Sequence, residues 1–458
     1  MAPEATAAEA AHALRREALQ RAVHALHPGL GQNAAPLGLV KHSSNLFRDR
    51  QEGHKNRLDL QDFCHVLDIN PGEGWVDVEG LTTYDTLVTH TLAHGVMPAV
   101  VPQLKTITVG GAAAGVGIEA TSFKAGLVHD TVLELDVLLP SGEVLHCTPH
   151  NAHQDLFYGF PNAYGTLGYA LRLRLKTLPV HPFVKVKHLP FTQPAAFFKA
   201  LADVSQSGAA FLDAVVFDPQ QLVINVGTWS HHAPWLSDYT GQHIYYRSLP
   251  EKPMDFLTVA HYLWRWDTDW FWCSKNFMAQ HPLVRRLLGP ERLNSQTYSR
   301  LMRWNARWGI SRAVTRLRGL HAESVIQDVD LPLAHAAEFL DFLQHEIQIK
   351  PIWVCPVRAP QGNGRFALFP LPAGQLWVNF GFWDVVTTQL RWEPGHFNRL
   401  VEGEVLRLGG LKSLYSESFF TPEAFDAAYG MAHYRALKAK YDPQGQLLGL
   451  YEKCVLRG

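Results

Sequence analysis

Between Val101 and Leu127 the chain reads VPQLKTITVGGAAAGVGIEATSFKAGL, with glycines at 110, 111, 115, 117 and 126. Glycine allows positive φ angles and lets a backbone approach a flat or anionic ligand closely. Main-chain N–H groups exposed in this way can bind phosphate oxygens or the edge atoms of a planar ring. The spacing is wrong for a Walker A loop, which needs Gly-Lys-Ser/Thr, and wrong for the G-x-G-x-x-G of a dinucleotide fold. A tightly packed turn accounts for these glycines as well as a ligand floor does, so other segments must decide between the two.

The flanking pattern is α+β rather than strict βαβ repetition. Glu4–His27 reads as an amphipathic helix and Pro28–Gly38 as a loop. From Phe63 the pattern becomes β: Val66, Asp68, Trp75, Asp77 and Glu79 interleave with apolar residues, and Asn70-Pro71-Gly72 supplies the turn between two strands. Thr82–His94 fits a helix with Thr82 or Thr83 as its cap and Gly95 just beyond its end. Val132–Leu139 alternates, turns at Pro140-Ser141-Gly142-Glu143 and returns through Val144–Thr148 as a hairpin. Tyr169–Thr177 alternates again, with Arg172, Arg174 and Lys176 on one face. After Pro179 the character changes to Trp-rich and helical segments followed by late β runs. The expected division is a first unit over 1–180, a second over 181–405, and a C-terminal segment over 406–458 that returns to the first.

A formal net charge of −1 gives no electrostatic reason to expect nucleic acid, despite a basic enrichment around Arg300–Arg318. Five cysteines, far apart and never as C-x-x-C, argue against a disulfide framework or a structural zinc site and suggest a reducing compartment. The N-terminus lacks the apolar run of a signal peptide, and no stretch is long enough to span a bilayer. A cytoplasmic protein, at most peripheral to a membrane, is expected.

Two further segments tip the balance at the glycines. KHSSNLFRDR (Lys41–Arg50) is a small polar loop after a strand, and DLFYGFPNAYGTLGYALRLRLKTLPV (Asp155–Val180) carries a Gly165–Gly168 turn feeding a strand. In this order they resemble the FAD-binding domain of the vanillyl-alcohol oxidase (PCMH-type) flavoprotein family, and within it the delta24-sterol reductase group with its bacterial relatives. VLELDVLLPSGEVLHCTP, VIQDVDLP (Val325–Pro332), KPIWVCPV (Lys350–Val357) and YDPQGQLLGLYEKC (Tyr441–Cys454) extend the likeness over most of the chain. The resemblance implies a PCMH-type domain of two α/β subdomains under an α+β cap. It implies a pyrophosphate loop of Ser43, Ser44, Asn45 and Leu46. It runs Thr106, Val109, Gly110, Gly111, Gly115, Gly117, Ile118 and Glu119 beside the cofactor, sets Ser122 and Gly126 opposite, and completes the pocket with Gly165, Thr166 and Gly168. Many relatives bind FAD covalently through a histidine in the pyrophosphate loop. Asn45 stands at that place here, with His42 nearby, so non-covalent FAD is expected. Lys105 replaces an acidic residue of the sterol reductases at the pocket entrance.

Flavin N5 can pass a hydride to one carbon of a double bond, and the protein must then supply a proton. The candidate acids and bases are Glu119, Tyr415, Tyr451, Glu452 and Lys453, each of which has a structural role as its competing explanation. The expected activity is reduction of a carbon–carbon double bond in an apolar, sterol- or isoprenoid-like substrate, with NADPH as donor by resemblance. The alternatives are oxidation of a hydroxylated substrate such as a sugar or alcohol, and a degenerate flavoprotein fold acting as a binding module. HYLWRWDTDWFWCSKNF (His261–Phe277) is either a bilayer-facing element or a core element of the cap. The 24 histidines show no recognised metal-ligand spacing.

Overall fold

A computed structural model describes residues 7–26, 35–40, 47–48, 56–308, 319–360 and 366–457. A parallel pair, β1 (Leu37–Val40) and β2 (Asn56–Asp59), comes first. A six-stranded sheet follows, made of β3 (Val66–Asn70), β4 (Trp75–Glu79), β5 (Val96–Pro98), β6 (Val132–Leu138), β7 (Val144–Cys147) and β8 (Tyr169–Pro179). Its order is β3-β4-β8-β6-β7, with β5 paired to the far end of β8.

The alternation read from sequence explains this sheet. Leu171, Leu173 and Leu175 of β8 and Leu135 and Val137 of β6 are buried on one face. Each such side chain contributes roughly 1.5–3 kcal/mol on burial. The other face is a charged ladder: Arg172 and Arg174 donate to the fully buried Asp77 at 2.6 and 2.7 Å, and Arg174 reaches Glu134 at 2.9 Å. A buried carboxylate is tolerated only when paired in this way. The helix Tyr84–Ala93 is capped by Thr83, whose hydroxyl accepts from Thr86 N, and Gly95 follows it at φ +73. The helix Ala7–Leu26 lies over the sheet, where His12 and Arg15 bond the buried Glu79. Burial works against the Glu79 carboxylate, but hydrogen bonds from His12, Arg15 and His65 outweigh it and hold it down at about 2.

The second sheet has eight antiparallel strands: β9 (Phe183–Phe191), β10 (Phe211–Asp218), β11 (Gln221–Ser230), β12 (Met254–Thr258), β13 (His321–Pro332), β14 (Ile352–Val357), β15 (Trp377–Thr388) and β16 (Leu411–Lys412). Their order is β12-β9-β11-β10-β14-β15-β13-β16. After β16 the chain packs on its N-terminal part: Lys438 Nζ donates to Thr166 O, just before β8, at 2.9 Å, and Leu37 N of β1 donates to Gln446 O at 2.8 Å. The α+β class read from sequence is borne out.

Trp266, Trp270 and Trp272 are all buried, and Phe271 with them. The Trp-rich stretch is therefore a core element, and those rings cannot face a bilayer. No helix among the described residues is long and apolar enough to cross a membrane.

Candidate functional site

A cavity of about 1330 Å³ runs between the two sheets. Single small-ligand pockets span about 300–1,000 Å³, so this one has room for a cofactor and a substrate together. One wall is main chain. Gly80, Thr106, Gly110, Gly111, Gly115, Gly117 and Ile118 line it, and Gly165 and Gly168 close its side.

The wall is glycine because it is packed against other backbone. Gly110 N donates to Gly80 O at 2.8 Å, and Val109 N to Thr82 O at 2.9 Å. A Cβ on Gly80 would stand 2.0 Å from Ala170 O, and one on Gly110 would stand 2.9 Å from Gly80 O. Tyr164 N donates to Ala114 O, so the Gly165–Gly168 turn is held against the glycine stretch. Val116 and Tyr164 sit here at φ +53 and +50, a costly conformation for a β-branched or bulky residue and one that gathers at functional sites.

Polar groups left without partners mark the same wall. Both ends of the Gln103 amide, Thr108 Oγ1 and Arg48 Nη2 are buried and have no hydrogen-bond partner among the described residues. All three residues line the cavity. Buried donors and acceptors are normally satisfied, so a polar ligand belongs there. Arg48 is fixed over the Tyr164 ring at 5.2 Å, with Nη1 directed to Cys454 Sγ at 2.6 Å. Lys453 Nζ donates to Tyr164 O at 2.7 Å on the cavity wall. A flat ring system with a phosphate-bearing tail fits these features: a backbone-lined floor, unsatisfied donors and acceptors, and two cations.

The opposite wall is side chain. Phe47, Trp270, Phe271, Trp353, Trp383 and Tyr415 enclose it, and Asp328 is set among them. Phe271 and Trp383 rings lie 4.4 Å apart, and Trp270 and Phe271 both adopt left-handed backbone, at φ +44 and +57. Tyr415 Oη donates to Asp328 Oδ2 at 2.6 Å, while Trp383 Nε1 donates to Tyr415 Oη at 2.8 Å. Burial pushes the Asp328 carboxyl up to about 8, against the opposing bond from Tyr415. Strand pairing builds the cluster. Ser413 N donates to Asp328 O, which brings Tyr415 alongside, and Phe47 N donates to Tyr415 O across the two units. Beyond it the cavity opens through Leu301, Met302, Trp304, Ile326, Leu390 and Trp392.

Several residues expected at the site stand elsewhere. Glu119 is turned to the second sheet, where Arg265 donates to its carboxylate at 3.2 Å and to Asp213 at 2.8 Å. Burial pushes Glu119 up to about 7, with Arg265 opposing. Glu119 N donates to Ser122 Oγ, and Ser122 O accepts from Arg358 N, so Glu119–Ser122 is a joint between the sheets. Gly126, at φ +76, packs against Asp130. Thr166 is buried with its hydroxyl on Ala163 O, and Val109 is core. Tyr451 donates to Phe420 O, and Glu452 accepts from Gly449 N. Lys105 pairs with Asp85 at 3.3 Å. Ser43, Ser44, Asn45 and Leu46, with His42, lie outside the described residues. Asp328, Trp383, Gln103 and Arg48 escaped sequence reasoning. VIQDVDLP held the one available signal, two acids, Asp328 and Asp330, on a strand of buried and half-buried residues.

Comparison with known proteins agrees with this geometry. The FAD binding domain family matches residues 32–148. The chain is a flavoprotein: it carries a PCMH-type FAD-binding domain and is an FAD-dependent oxidoreductase. More particularly, it is homologous along most of its length to delta(24)-sterol reductases. That of Homo sapiens is 24% identical over 429 residues, covering 87% of this chain and 77% of the other. That of Arabidopsis thaliana is 23% identical over 452 residues, covering 88% and 77%. Cytokinin dehydrogenase 10 of Oryza sativa subsp. japonica is 29% identical over 171 residues, 37% of this chain and 29% of that one.

Proposed function

We propose that the protein reduces a carbon–carbon double bond in a sterol-like, apolar substrate, with FAD held non-covalently along Thr106–Ile118 and Gly165–Gly168 and with Ser43–Leu46 completing the phosphate end. The observation that carries this reading is the continuity of the cavity. It passes from a backbone wall with unsatisfied polar groups, through an aromatic cage holding one acid, to an apolar mouth. The homology to delta(24)-sterol reductases supports the choice of substrate.

FAD, when bound, supplies hydride transfer. The chain's own residues do the rest. Arg48, Lys453 and the Gln103 amide orient the cofactor. Phe47, Trp270, Phe271, Trp353 and Trp383 exclude water from the reacting face, which strengthens every electrostatic interaction inside. The mouth takes the apolar body of the substrate. NADPH is the proposed donor. The cofactor unit ends near residue 180, the substrate unit runs to about 405, and the last segment rebuilds the cofactor wall through Lys453. Membrane contact, in this reading, belongs to the exposed Trp304 and Trp392 at the mouth.

Anaerobic reduction of the purified protein with NADPH, followed by a sterol bearing a side-chain double bond, tests the reading. Bleaching of the flavin and its reoxidation by the alkene are expected. Reduction by an alcohol or sugar, with no response to alkenes, would replace this reading with the oxidation of a hydroxylated substrate.

A further inference from the structure

We infer that Asp328 is the proton donor of the reaction, with Tyr415 and Trp383 as its positioning residues. The inference rests on the double-bond reading above. Asp328 stands on β13 opposite Gly381 of β15. That glycine matters. A Cβ there would meet the Trp383 indole at 2.6 and 2.7 Å and Asp328 Oδ1 at 2.8 Å. Its missing side chain leaves the space in which the indole and the carboxyl both stand.

The two carboxyl oxygens have different jobs. Oδ2 accepts from Tyr415, which is itself held by Trp383. Oδ1 is buried and has no hydrogen-bond partner among the described residues, on a residue that lines the cavity. One oxygen is anchored by Tyr415, and the other, set beside the Trp383 indole at the cavity wall, is the one left to carry the proton. The titratable groups that face Asp328 are Tyr415, Asp330 on its own strand and Tyr164 from the cofactor side; none of the three is a cation that would hold the carboxylate ionised. Burial therefore keeps the acid protonated up to about pH 8.

The step balances. The O–H bond of Asp328 breaks and its proton forms a C–H bond at one alkene carbon. Reduced FAD, when bound, would supply the hydride of the second C–H bond and the two electrons that consume the π bond. The carboxylate left on Asp328 regains its proton from water.

The test compares Asp328→Asn with wild type by three readouts. The variant is expected to keep its FAD and its reduction by NADPH, and to reoxidise with the sterol alkene about 10²–10⁴-fold more slowly. In an infrared titration, the wild type is expected to lose a protonated-carboxyl C=O band near pH 8, and the variant to lack that band. In wild type the alkene rate should fall as pH rises through the same value, because the acid form does the work. Tyr415→Phe gives a second arm that does not depend on Asp328→Asn folding. Removing a hydrogen bond to the carboxylate disfavours ionisation, so band and rate limb should both move to higher pH. Alkene turnover by Asp328→Asn within twofold of wild type, or an unmoved limb in Tyr415→Phe, overturns the inference. A wild type that oxidises no reduced flavin with any alkene overturns the double-bond reading instead, and the infrared band then reports on the acid separately.

Discussion

The two walls of the cavity are made of different material. The wall proposed for the cofactor is main chain, Gly80 and Thr106–Ile118, joined by the Gly165–Gly168 turn. The wall proposed for the substrate is side chain, drawn from segments as far apart as Phe47, Trp270, Asp328, Trp353, Trp383 and Tyr415. A wall of backbone needs glycine at fixed spacing and tolerates no side chain. A wall of side chains needs only that distant strands arrive in register. The first should be brittle toward any added atom, while the second should fail in its chemistry before it fails in its fold.

The largest effect is expected where the walls meet. Arg265 is fully buried between Glu119 of the glycine segment and Asp213 of β10, and its guanidinium lies 3.9 Å from the Tyr262 ring. Arg265→Met would strand two buried carboxylates, at a cost of about 3–5 kcal/mol. The pH dependence has a definite sign. Glu119 already sits at about 7, and losing Arg265 removes the influence that lowers it. The folded variant then holds a proton that the unfolded chain gives up above the ordinary carboxylate range. Wild type holds this proton up to about 7 as well, so the deficit should grow as pH rises above 7, where Glu119 ionises in the wild type and not in the variant. Denaturant melts at about pH 6 and about pH 9 check this, and an equal deficit at both would show that the pair is not the cause.

Next comes one substitution made on each wall. At Gly80→Ala the new methyl meets backbone oxygen at 2.0 Å, which no rotamer change relieves. A loss of about 3 kcal/mol and a colourless protein are expected, read by the melt and by absorbance after FAD addition. At Gly381→Ala the methyl meets the end of an indole and a carboxylate oxygen, so side chains can shift. FAD retention with at least a tenfold loss of alkene turnover is expected, that being about 1.4 kcal/mol of transition-state stabilisation. Equal damage from both substitutions would erase the proposed distinction between the walls.

The same contrast explains what the sequence made legible. Local rules found the first sheet: the alternation of Val132–Leu139 and Tyr169–Thr177, the helix cap at Thr82 or Thr83 and the hairpin turn each lie within one short window. The glycine wall was legible for the same reason, although the glycines are there as much to let backbone pack on backbone as to admit a ligand. The acid was not legible. Asp328 acquires its role from Gly381 across the strand and from Tyr415 beyond β16, and no window of sequence contains all three. Glu119 misled for the converse reason. Its place directly after the glycines put it near the cofactor in sequence, yet its side chain turns to Arg265 and leaves only its neighbours on the wall.

The smallest effect separates two kinds of tryptophan. Trp272 is wholly buried and Trp266 nearly so, whereas Trp304 is 56% exposed and Trp392 45% exposed at the cavity mouth. Leu301 and Leu390 are exposed beside the same opening. Amphipathic indoles at such a rim suit the headgroup region of a bilayer. Substituting Trp272 would therefore test folding and say nothing about lipid, because a buried Trp costs about 3–5 kcal/mol when removed. Trp304→Ser with Trp392→Ser should leave the melt within about 0.5 kcal/mol, as exposed substitutions usually do. It should lower co-sedimentation with phosphatidylcholine–phosphatidylserine vesicles severalfold. If vesicle partitioning is the same in wild type and variant, the rim is only the mouth of the substrate channel, and its apolar surface serves the substrate alone.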